Sequence, residues 1–599
     1  MFDAEFVLRG LADSEFEDLA NLIPVDPHEK FVLFVEVMRV FDYWAVYKDE
    51  MPEDLKGNNA EQNLLRLGWE LVIKTFFVEL GRPGIPVRES SSSTRKVAKY
   101  LLYRLGVVAH LRNLADFVKV GLADLKVESG RYRIVLSESL KYQTMDCLEF
   151  YYASVNDDMI RDSDSEFVNG WKKFEFDETF EGIKELGAFY GYQSTSLHSI
   201  KKVDNVRDLM EPLIFPVDFG HGVMMGYDAI LEVDEHFYSF ALDYVRSAQE
   251  FAGLHPTCLI NQVPVPEFVM VVAVVVALHL KHMTFGDIAL YEYPEISLPQ
   301  SLTIWTPREE LLEVVELHTN FDRELIERAI DAIVFSPKDL EFIGGGGYVT
   351  PLLFDLGQGT LLRPVCGLLR NPFFSIIELN QKRDNKFINH ISKPREDWFR
   401  IHVYGLFMGN RYRRVEGNIK LREAGRDVTD LDGVVYDTVS GDLAIFQLKW
   451  QDGFTYDVKK MRSKAKNLVD EIAAWGEAVN QWLVSKESID VFKALRLKVP
   501  RGASINNVYF FGLSWSFFRS QALGYEKGSR HVVTCNWPMF RKARFDVGQS
   551  FFIFGELFEA LVAANDNIDK CIVLDNFELE IGGRVVEFDG TFHAFKKAD

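Results

Sequence analysis

The sequence predicts a multidomain α/β protein, α+β in its arrangement, with a mainly helical N-terminal part ahead of a C-terminal domain built on a mixed central sheet. Three observations lead to this prediction. The chain has 599 residues, which is too long for a single compact core. Helical periodicity dominates the first 150 residues. After residue 390, the hydrophobic patterns follow the order α-β-β-β-α-β.

The bulk composition favours a soluble protein in a reducing compartment. Apolar residues make up 47% of the chain and charged residues 26%, as in ordinary globular proteins. The five cysteines are scattered and form no CxxC pair, which argues against a disulfide framework and a zinc ribbon. The N-terminus lacks the basic and apolar segments of a signal peptide, and the longest apolar run has only about 13 residues. We therefore expect a cytoplasmic protein without membrane association.

The net charge of −22 is unevenly distributed along the chain. Residues 1–360 contain 32 basic and 59 acidic residues, whereas residues 361–599 contain 35 basic and 30 acidic residues. Only the C-terminal part can therefore approach a polyphosphate without long-range repulsion. The acidic N-terminal part either is a solvated surface or binds a protein partner or a second copy of the chain.

The predicted organisation has three parts. Residues 1–150 form a helical domain that ends in a hairpin around Gly130, an arrangement compatible with a winged-helix module. Residues 151–360 form a mixed, mainly helical region of unassigned fold. The glycine run 344–347 marks a joint or turn, and it lacks the Gly-Lys-Ser/Thr of a phosphate-binding loop. Residues 361–599 form the third part, which carries a β-rich extension at its C-terminal end.

The elements of the third part are predicted in order from hydrophobic periodicity and turn residues. They are a helix at 394–409 that starts near Pro394, a strand at 411–421, two strands at 429–437 and 442–450, a long helix at 456–484 and an apolar strand at 506–515. Alternation along the hairpin strands separates an apolar face, which includes Val435 and Phe446, from a polar face. We expect the polar face to be open to solvent.

Three polar residues share that face of the hairpin: Asp432, Gln447 and Lys449. A two-residue turn at residues 440–441 places Asp432 opposite Lys449, and a turn two residues longer places it opposite Gln447. Carboxylate and amide oxygens are hard ligands suited to Mg²⁺, with Mn²⁺ as an alternative, and an ammonium can orient an attacking water. The structural alternative is a solvated strand face with a weak cross-strand ion pair.

This hairpin within the α-β-β-β-α-β order resembles the PD-(D/E)xK, restriction-endonuclease-like superfamily, over about residues 390–515. The segment FQLKW is most similar to the Mrr-type and nuclease-related (NERD) branches. The resemblance implies a Mg²⁺-dependent DNA endonuclease, with Asp432 as the metal-ligand aspartate, Gln447 at the Glu/Gln position and Lys449 as the catalytic lysine. It also implies that Glu396, on the first helix, is a further metal ligand.

Two other acidic residues compete for the ligand role. Asp430 lies two residues before Asp432 on the same predicted face, and Asp437 would replace them if the register shifted. The alternative for Glu396 is an acidic residue in the first turn of a helix, which the macrodipole favours in any case.

Basic residues crowd the start of the long helix, where they either bind DNA phosphates or form a solvated helix face. They are Lys459, Lys460, Arg462, Lys464 and Lys466. The resemblance places such a nuclease in bacterial anti-phage defence or restriction, regulated by its N-terminal part. The alternative is an inactive nuclease fold that serves as a nucleic-acid-binding or scaffold subunit.

Overall fold

A computed structural model of the chain describes residues 3–47, 59–78, 90–128, 130–137, 167–168, 171–172, 204–218, 220, 222–343, 350–415, 419–450, 458–516, 531–565 and 572–595. The glycine run 344–347 lies outside these residues. The chain divides into two compact units. The first comprises Met1–Val135, Ser194–Ile388 and Asp575–Phe592, and the second comprises Asn389–Leu574 with Leu136–Gln193 and His593–Asp599.

The α-helices, in chain order, are α1 (Ala4–Ala20), α2 (Pro27–Tyr47), α3 (Asn59–Phe76), α4 (Ser92–Lys119), α5 (Asp204–Met210), α6 (Leu231–Phe251), α7 (Val265–Glu292), α8 (Leu298–Ser301), α9 (Arg308–Thr319), α10 (Arg323–Ile333), α11 (Pro372–Arg383), α12 (Phe387–Gly405), α13 (Val458–Val484), α14 (Ser488–Ala494), α15 (Trp537–Val547) and α16 (Ile553–Asn565).

The strands, in chain order, are β1 (Ala123–Glu128), β2 (Arg131–Leu136), β3 (Phe167–Val168), β4 (Trp171–Lys172), β5 (Ile214–Asp218), β6 (Val223–Tyr227), β7 (Leu259–Ile260), β8 (Val263–Pro264), β9 (Ile304–Pro307), β10 (Val334–Phe335), β11 (Leu353–Asp355), β12 (Thr360–Arg363), β13 (Tyr412–Arg414), β14 (Ile419–Glu423), β15 (Arg426–Leu431), β16 (Gly433–Asp437), β17 (Leu443–Lys449), β18 (Val508–Ser514), β19 (Val532–Asn536), β20 (Ile572–Ile581) and β21 (Arg584–Phe595).

The first unit begins with the predicted helices, α1 to α4, which are amphipathic and pack around a shared core. Helices α3 and α4 cross closely at two glycines, Gly68 and Gly106. A Cβ at either position would collide with a backbone carbonyl of the other helix, so the close approach requires glycine. The strands predicted around Gly130 are present, but they do not form an isolated hairpin. They join C-terminal strands in the order β1-β2-β21-β20, a pairing between distant segments that local patterns do not reveal.

The apolar run 268–280 lies within helix α7. Among the described residues, α7 is the helix with the length and hydropathy to cross a membrane, and 78% of its most apolar window is buried inside the protein. His279 and His282 on this helix are almost completely buried. Burial lowers the pKa of His279 to about 4 and that of His282 to about 3, so both imidazoles are neutral core residues.

The second unit is built on a five-stranded mixed sheet in the order β13-β16-β17-β18-β19. The pairs β13/β16 and β16/β17 are antiparallel, whereas β17/β18 and β18/β19 are parallel. The parallel strands β17 and β18 are connected through α13 and α14, as parallel neighbours require a crossover. This arrangement confirms a mixed central sheet with helices after the hairpin.

Several of the predicted elements differ from those in the structure. The first helix, α12, begins at Phe387 and not near Pro394, which lies inside it. The predicted strand 411–421 is two strands, β13 and β14, that belong to different sheets. The predicted strand 429–437 is also divided, because the chain bends at Asp432 between β15 and β16. The predicted β-rich extension contains helices α15 and α16 as well as strands.

Helices cover both faces of the central sheet. On one face Phe446 and Phe511 contact Phe540 of α15 through edge-to-face ring pairs. On the other face α13 lies so close that a Cβ on Gly512 would approach the side chain of Ile472 to 2.9 Å. The second face is also the face of the predicted polar residues, because Gln447 pairs with Gly512.

Candidate functional site

Asp432 lies at the point where the chain leaves one sheet and enters another. Strand β15 pairs with β14 in a two-stranded hairpin, and β16 pairs with β17 in the central sheet. The bend between β15 and β16 frees the Asp432 carboxylate from a regular strand position. Its Oδ2 accepts a hydrogen bond from the backbone N–H of Leu448 at 2.8 Å. The side chain is thereby fixed beside strand β17.

The register of the hairpin follows the longer turn. Gly433 pairs with Phe446, which places Asp432 opposite Gln447, one residue further along the ladder. The turn is closed by the N–H of Asp437, which donates to the carbonyl of Asp442 at 2.9 Å. The two-residue turn, with Asp432 opposite Lys449, is therefore wrong. The longer alternative, with Asp432 opposite Gln447, is confirmed.

Gln447 has one satisfied and one unsatisfied amide atom. Its Nε2 donates to Asp432 Oδ2 at 2.6 Å, so the two side chains meet directly. Its Oε1 is buried and accepts no hydrogen bond within the part of the chain that the structure describes. The whole residue is only 7% exposed. A buried amide oxygen without a donor is unfavourable by roughly 1–3 kcal/mol, unless a ligand such as a cation or water satisfies it.

The expectation that this face is open to solvent is wrong, because α13 covers it. Asp432 is partly buried and Gln447 is buried. The side chain of Lys449, at the end of β17, remains 30% exposed. Its Nζ lies 2.7 Å from Glu471 Oε2 on α13. The three predicted residues therefore line a partly buried site with its ammonium at the edge.

Glu396 lies on α12, near the same group of charges. Its side chain is exposed; partial desolvation raises its pKa, Lys449 lowers it, and Asp397 and Asp430 raise it. Because α12 starts at Phe387, Glu396 is not in the first turn, and the macrodipole explanation for it is wrong. Asp430, the rival ligand, is exposed on β15, and its charge also reaches Asp432.

The protonation of Asp432 reflects this crowding. Its pKa is raised to about 6; burial is the largest cause, and the charges of Asp430 and Glu396 contribute to the rise. The N–H of Leu448 and the ammonium of Lys449 act in the opposite direction. Three carboxylates thus share one electrostatic environment with Lys449, and this makes ionisation of Asp432 less favourable than it is for an aspartate in water.

The donors present suit a hard divalent cation. Asp432 and Gln447 supply a carboxylate and a free amide oxygen at adjacent positions, and Glu396 supplies a second carboxylate nearby. Within the described residues, no group of three or more His, Cys, Asp or Glu side chains is already arranged at metal-binding distances. A set of cation ligands at this site would include the amide oxygen of Gln447, and glutamine is not one of those four residue types.

Two other sequence predictions have different outcomes. Asp437, the ligand candidate for a shifted register, accepts hydrogen bonds from Arg411 at 2.9 and 2.6 Å and has no part in this site. The basic cluster falls in the first turns of α13, but its side chains lie outside the described residues. Phosphate contact by these residues therefore stays a prediction. They are Lys459, Lys460, Arg462, Lys464 and Lys466.

Two residues near the site were not predicted. Glu471 contacts Lys449, and Arg400 of α12 donates from Nη1 to the backbone carbonyl of Asp432 at 3.3 Å. A signal for Glu471 was present in the long helix. Leu468 and Ile472 belong to its buried stripe, and Glu471, three residues after Leu468, lies at the border of the covered face.

The comparisons with known proteins add nothing to this geometry. No protein-family model, no curated protein and no solved structure matches the chain. The functional interpretation therefore depends on the arrangement of residues in the second unit.

Proposed function

We propose that the second unit is a metal-dependent nuclease that hydrolyses phosphodiester bonds in DNA. The observation that carries the proposal is the unsatisfied Oε1 of Gln447, which is buried directly beside the Asp432 carboxylate. A structural polar pair would satisfy both amide atoms, whereas a cation site leaves an oxygen without a donor. The nearby Lys449 and Glu396 supply the other groups that hydrolysis of a phosphodiester requires.

The roles of the residues follow from their positions. Asp432 Oδ1 and Oδ2, Gln447 Oε1 and the carboxylate of Glu396 would hold Mg²⁺ or Mn²⁺. Such an ion, when bound, supplies Lewis-acid stabilisation of the phosphate oxygens and activates water. The Lys449 ammonium orients the attacking water and donates hydrogen bonds to the phosphate as negative charge develops.

The charge of residues 361–599, the C-terminal part that carries the site, supports DNA as the substrate. Residues 361–599 carry a net excess of basic residues, including the cluster at the start of α13. Each phosphate contact by such residues adds to affinity and to its salt dependence. The acidic first 360 residues disfavour DNA contact, so we assign them a regulatory role, in which a protein partner or a second copy binds. A restriction or anti-phage defence effector is the setting that this combination suits.

A scaffold without catalysis is the second candidate. It is favoured by two contacts: Gln447 is neutral and already bound to Asp432, and Lys449 is already paired with Glu471. In that case the fold would bind nucleic acid without cleaving it.

Cleavage of plasmid DNA by the full chain distinguishes the two candidates. The wild type, Lys449→Ala and Lys420→Ala are incubated with supercoiled plasmid and Mg²⁺ or Mn²⁺. Lys420 is a matched control, because it is an exposed lysine on β14 of the same unit. We expect cleavage by the wild type and Lys420→Ala, and a loss of at least about 100-fold in Lys449→Ala. Binding without cleavage by all three proteins would support the scaffold.

A further inference from the structure

The contact between Lys449 and Glu471 joins the last residue of β17 to the middle of α13. The distance of 2.7 Å between Lys449 Nζ and Glu471 Oε2 is that of a charge-assisted hydrogen bond. The side chains are 30% and 55% exposed, so the pair is accessible to a substrate from the solvent side. Both ends are carried by regular elements of the central sheet and its covering helix, which fixes where the pair forms.

A lysine at the end of a strand has four rotatable side-chain bonds and is otherwise mobile. Glu471 occupies one of the three N–H donors of Lys449 and leaves two for a water or a phosphate oxygen. Because the ammonium is already held, the Lys449 side chain loses less conformational entropy when the water and the phosphate assemble around it. The negative charge of Glu471 also lies where a phosphate would approach the lysine.

We infer that Glu471 is a positioning residue that holds the Lys449 ammonium at the edge of the site, while its own charge opposes the incoming phosphate. The inference rests on the proposed nuclease function and adds a residue to it. Glu471 has two effects of opposite sign: it raises the rate of the chemical step, and it weakens the binding of DNA. A merely structural ion pair would have neither effect.

Kinetics of Glu471→Gln test the inference, with Glu477→Gln as the matched control. Glu477 is an exposed carboxylate on the same helix, and its Oε1 accepts a hydrogen bond from Gln481. We expect Glu471→Gln to lower kcat about fivefold and to bind DNA more tightly than the wild type, by up to about fivefold. Binding is measured with Ca²⁺ in place of Mg²⁺. Glu471→Asp, which keeps the charge on a shorter side chain, should give an intermediate kcat.

A second measurement does not depend on nuclease activity. The rate at which an amine-reactive acylating reagent modifies Lys449 is measured by mass spectrometry in the metal-free protein. We expect faster modification in Glu471→Gln than in the wild type, because the Lys449 ammonium is no longer held. Glu477→Gln should match the wild type.

The outcomes separate the inference from the proposed function. An unchanged kcat in Glu471→Gln, or an equal loss in Glu477→Gln, overturns the inference and leaves the nuclease function intact. An unchanged modification rate shows that the pair does not hold Lys449 in solution, which also overturns the inference. A wild-type protein that cleaves no DNA with either metal overturns the proposed function and, with it, the catalytic role of Glu471.

Discussion

Carboxylates lie at both ends of the β16–β17 hairpin, but the two ends differ in the partners that surround the carboxylate. At the turn end, Asp437 is fully buried and accepts hydrogen bonds from Arg411, from the N–H of Val439 at 2.9 Å and from Ser440 Oγ at 3.1 Å. At the other end, the Asp432 carboxylate accepts no hydrogen bond from an arginine within the described residues, and its pKa is raised to about 6.

A second carboxylate at the turn end also has a counter-charge from within the chain. Asp442 is fully buried, and its Oδ1 accepts a hydrogen bond from Asn507 at 2.8 Å. Its Oδ2 lacks a hydrogen bond within the described residues, but the charge of Arg411 reaches it. The turn end therefore contains its own counter-charge, whereas the site end gathers Asp430, Asp432 and Glu396 near Lys449 and near Arg400, which is already paired with Asp397. The difference supports the proposal that the site end takes up a positive charge from outside the chain.

Removal of the arginine at the turn end should have the largest effect on stability. Arg411→Met leaves Asp437 buried without its charged partner, so we expect a loss of about 3–5 kcal/mol in the free energy of unfolding. Urea denaturation at pH 7 measures it. A loss below about 1 kcal/mol would show that the turn end does not depend on its internal counter-charge, and the contrast between the two ends would disappear.

Removal of the carboxylate at the site end should have the opposite sign. The pKa of Asp432 is higher in the folded chain than in the unfolded chain, so the folded state holds an extra proton between about pH 4 and 6. The stability of the wild type therefore falls as the pH rises through this window. Asp432→Asn has no carboxylate to ionise, so its stability does not fall in this window. Its free energy of unfolding at pH 7 should exceed that of the wild type by up to about 3 kcal/mol, and the difference should vanish near pH 4.

Denaturation curves of both proteins between pH 4 and pH 8 check this prediction. Asp432→Asn should at the same time lose DNA cleavage, because the carboxylate is gone. A variant that is less stable than the wild type at pH 7 would mean that Asp432 is a structural carboxylate like Asp437.

Metal ions should stabilise the site end in a manner that depends on pH. A divalent ion must displace the proton from Asp432, so the increase in melting temperature with Mg²⁺ or Mn²⁺ should be larger at pH 7.5 than at pH 5. An ion at ten times its dissociation constant adds about 1.4 kcal/mol. Differential scanning fluorimetry with and without EDTA measures it. An equal shift in Asp432→Asn would place the ion elsewhere.

The smallest effect on stability is expected for Gln447→Met. The substitution removes an unsatisfied oxygen together with a hydrogen bond, and it replaces the amide with an apolar chain of similar length. The two changes offset each other, so the free energy of unfolding should change by less than about 1 kcal/mol. The stabilisation by metal should nevertheless be lost. Retained stabilisation by Mn²⁺ would exclude Gln447 Oε1 as a ligand.

The sequence was sufficient for the parts of the site that depend on local periodicity. Alternation along the strands put Asp432, Gln447 and Lys449 on one face, and helical spacing located the long helix that follows them. The sequence left two alternatives for the hairpin register, because registers that differ by two residues place the same side chains on the same face of the sheet. The length of the turn decides between them, and the hydrogen bonds of Asp437, Asp442 and Ser440 set that length.

Tertiary packing decides the features that the sequence did not predict. The bend at Asp432 arises because β15 and β16 pair with different sheets, and Pro394 is accommodated inside α12 rather than at its start. Coverage of the polar face by α13 depends on Gly512, whose missing side chain lets Ile472 approach. The contact of Glu471 with Lys449 follows from that packing and spans 22 residues of sequence.

The most direct test of the metal site is a crystal structure of the protein grown with Mn²⁺, in which anomalous scattering locates the ion. We predict an anomalous peak about 2.1 Å from an Asp432 carboxylate oxygen and from Gln447 Oε1, with Glu396 on the same ion directly or through water. A structure at pH 7.5 and saturating Mn²⁺ that shows Gln447 Oε1 without an ion, or an ion bound only at other residues, would contradict the proposal.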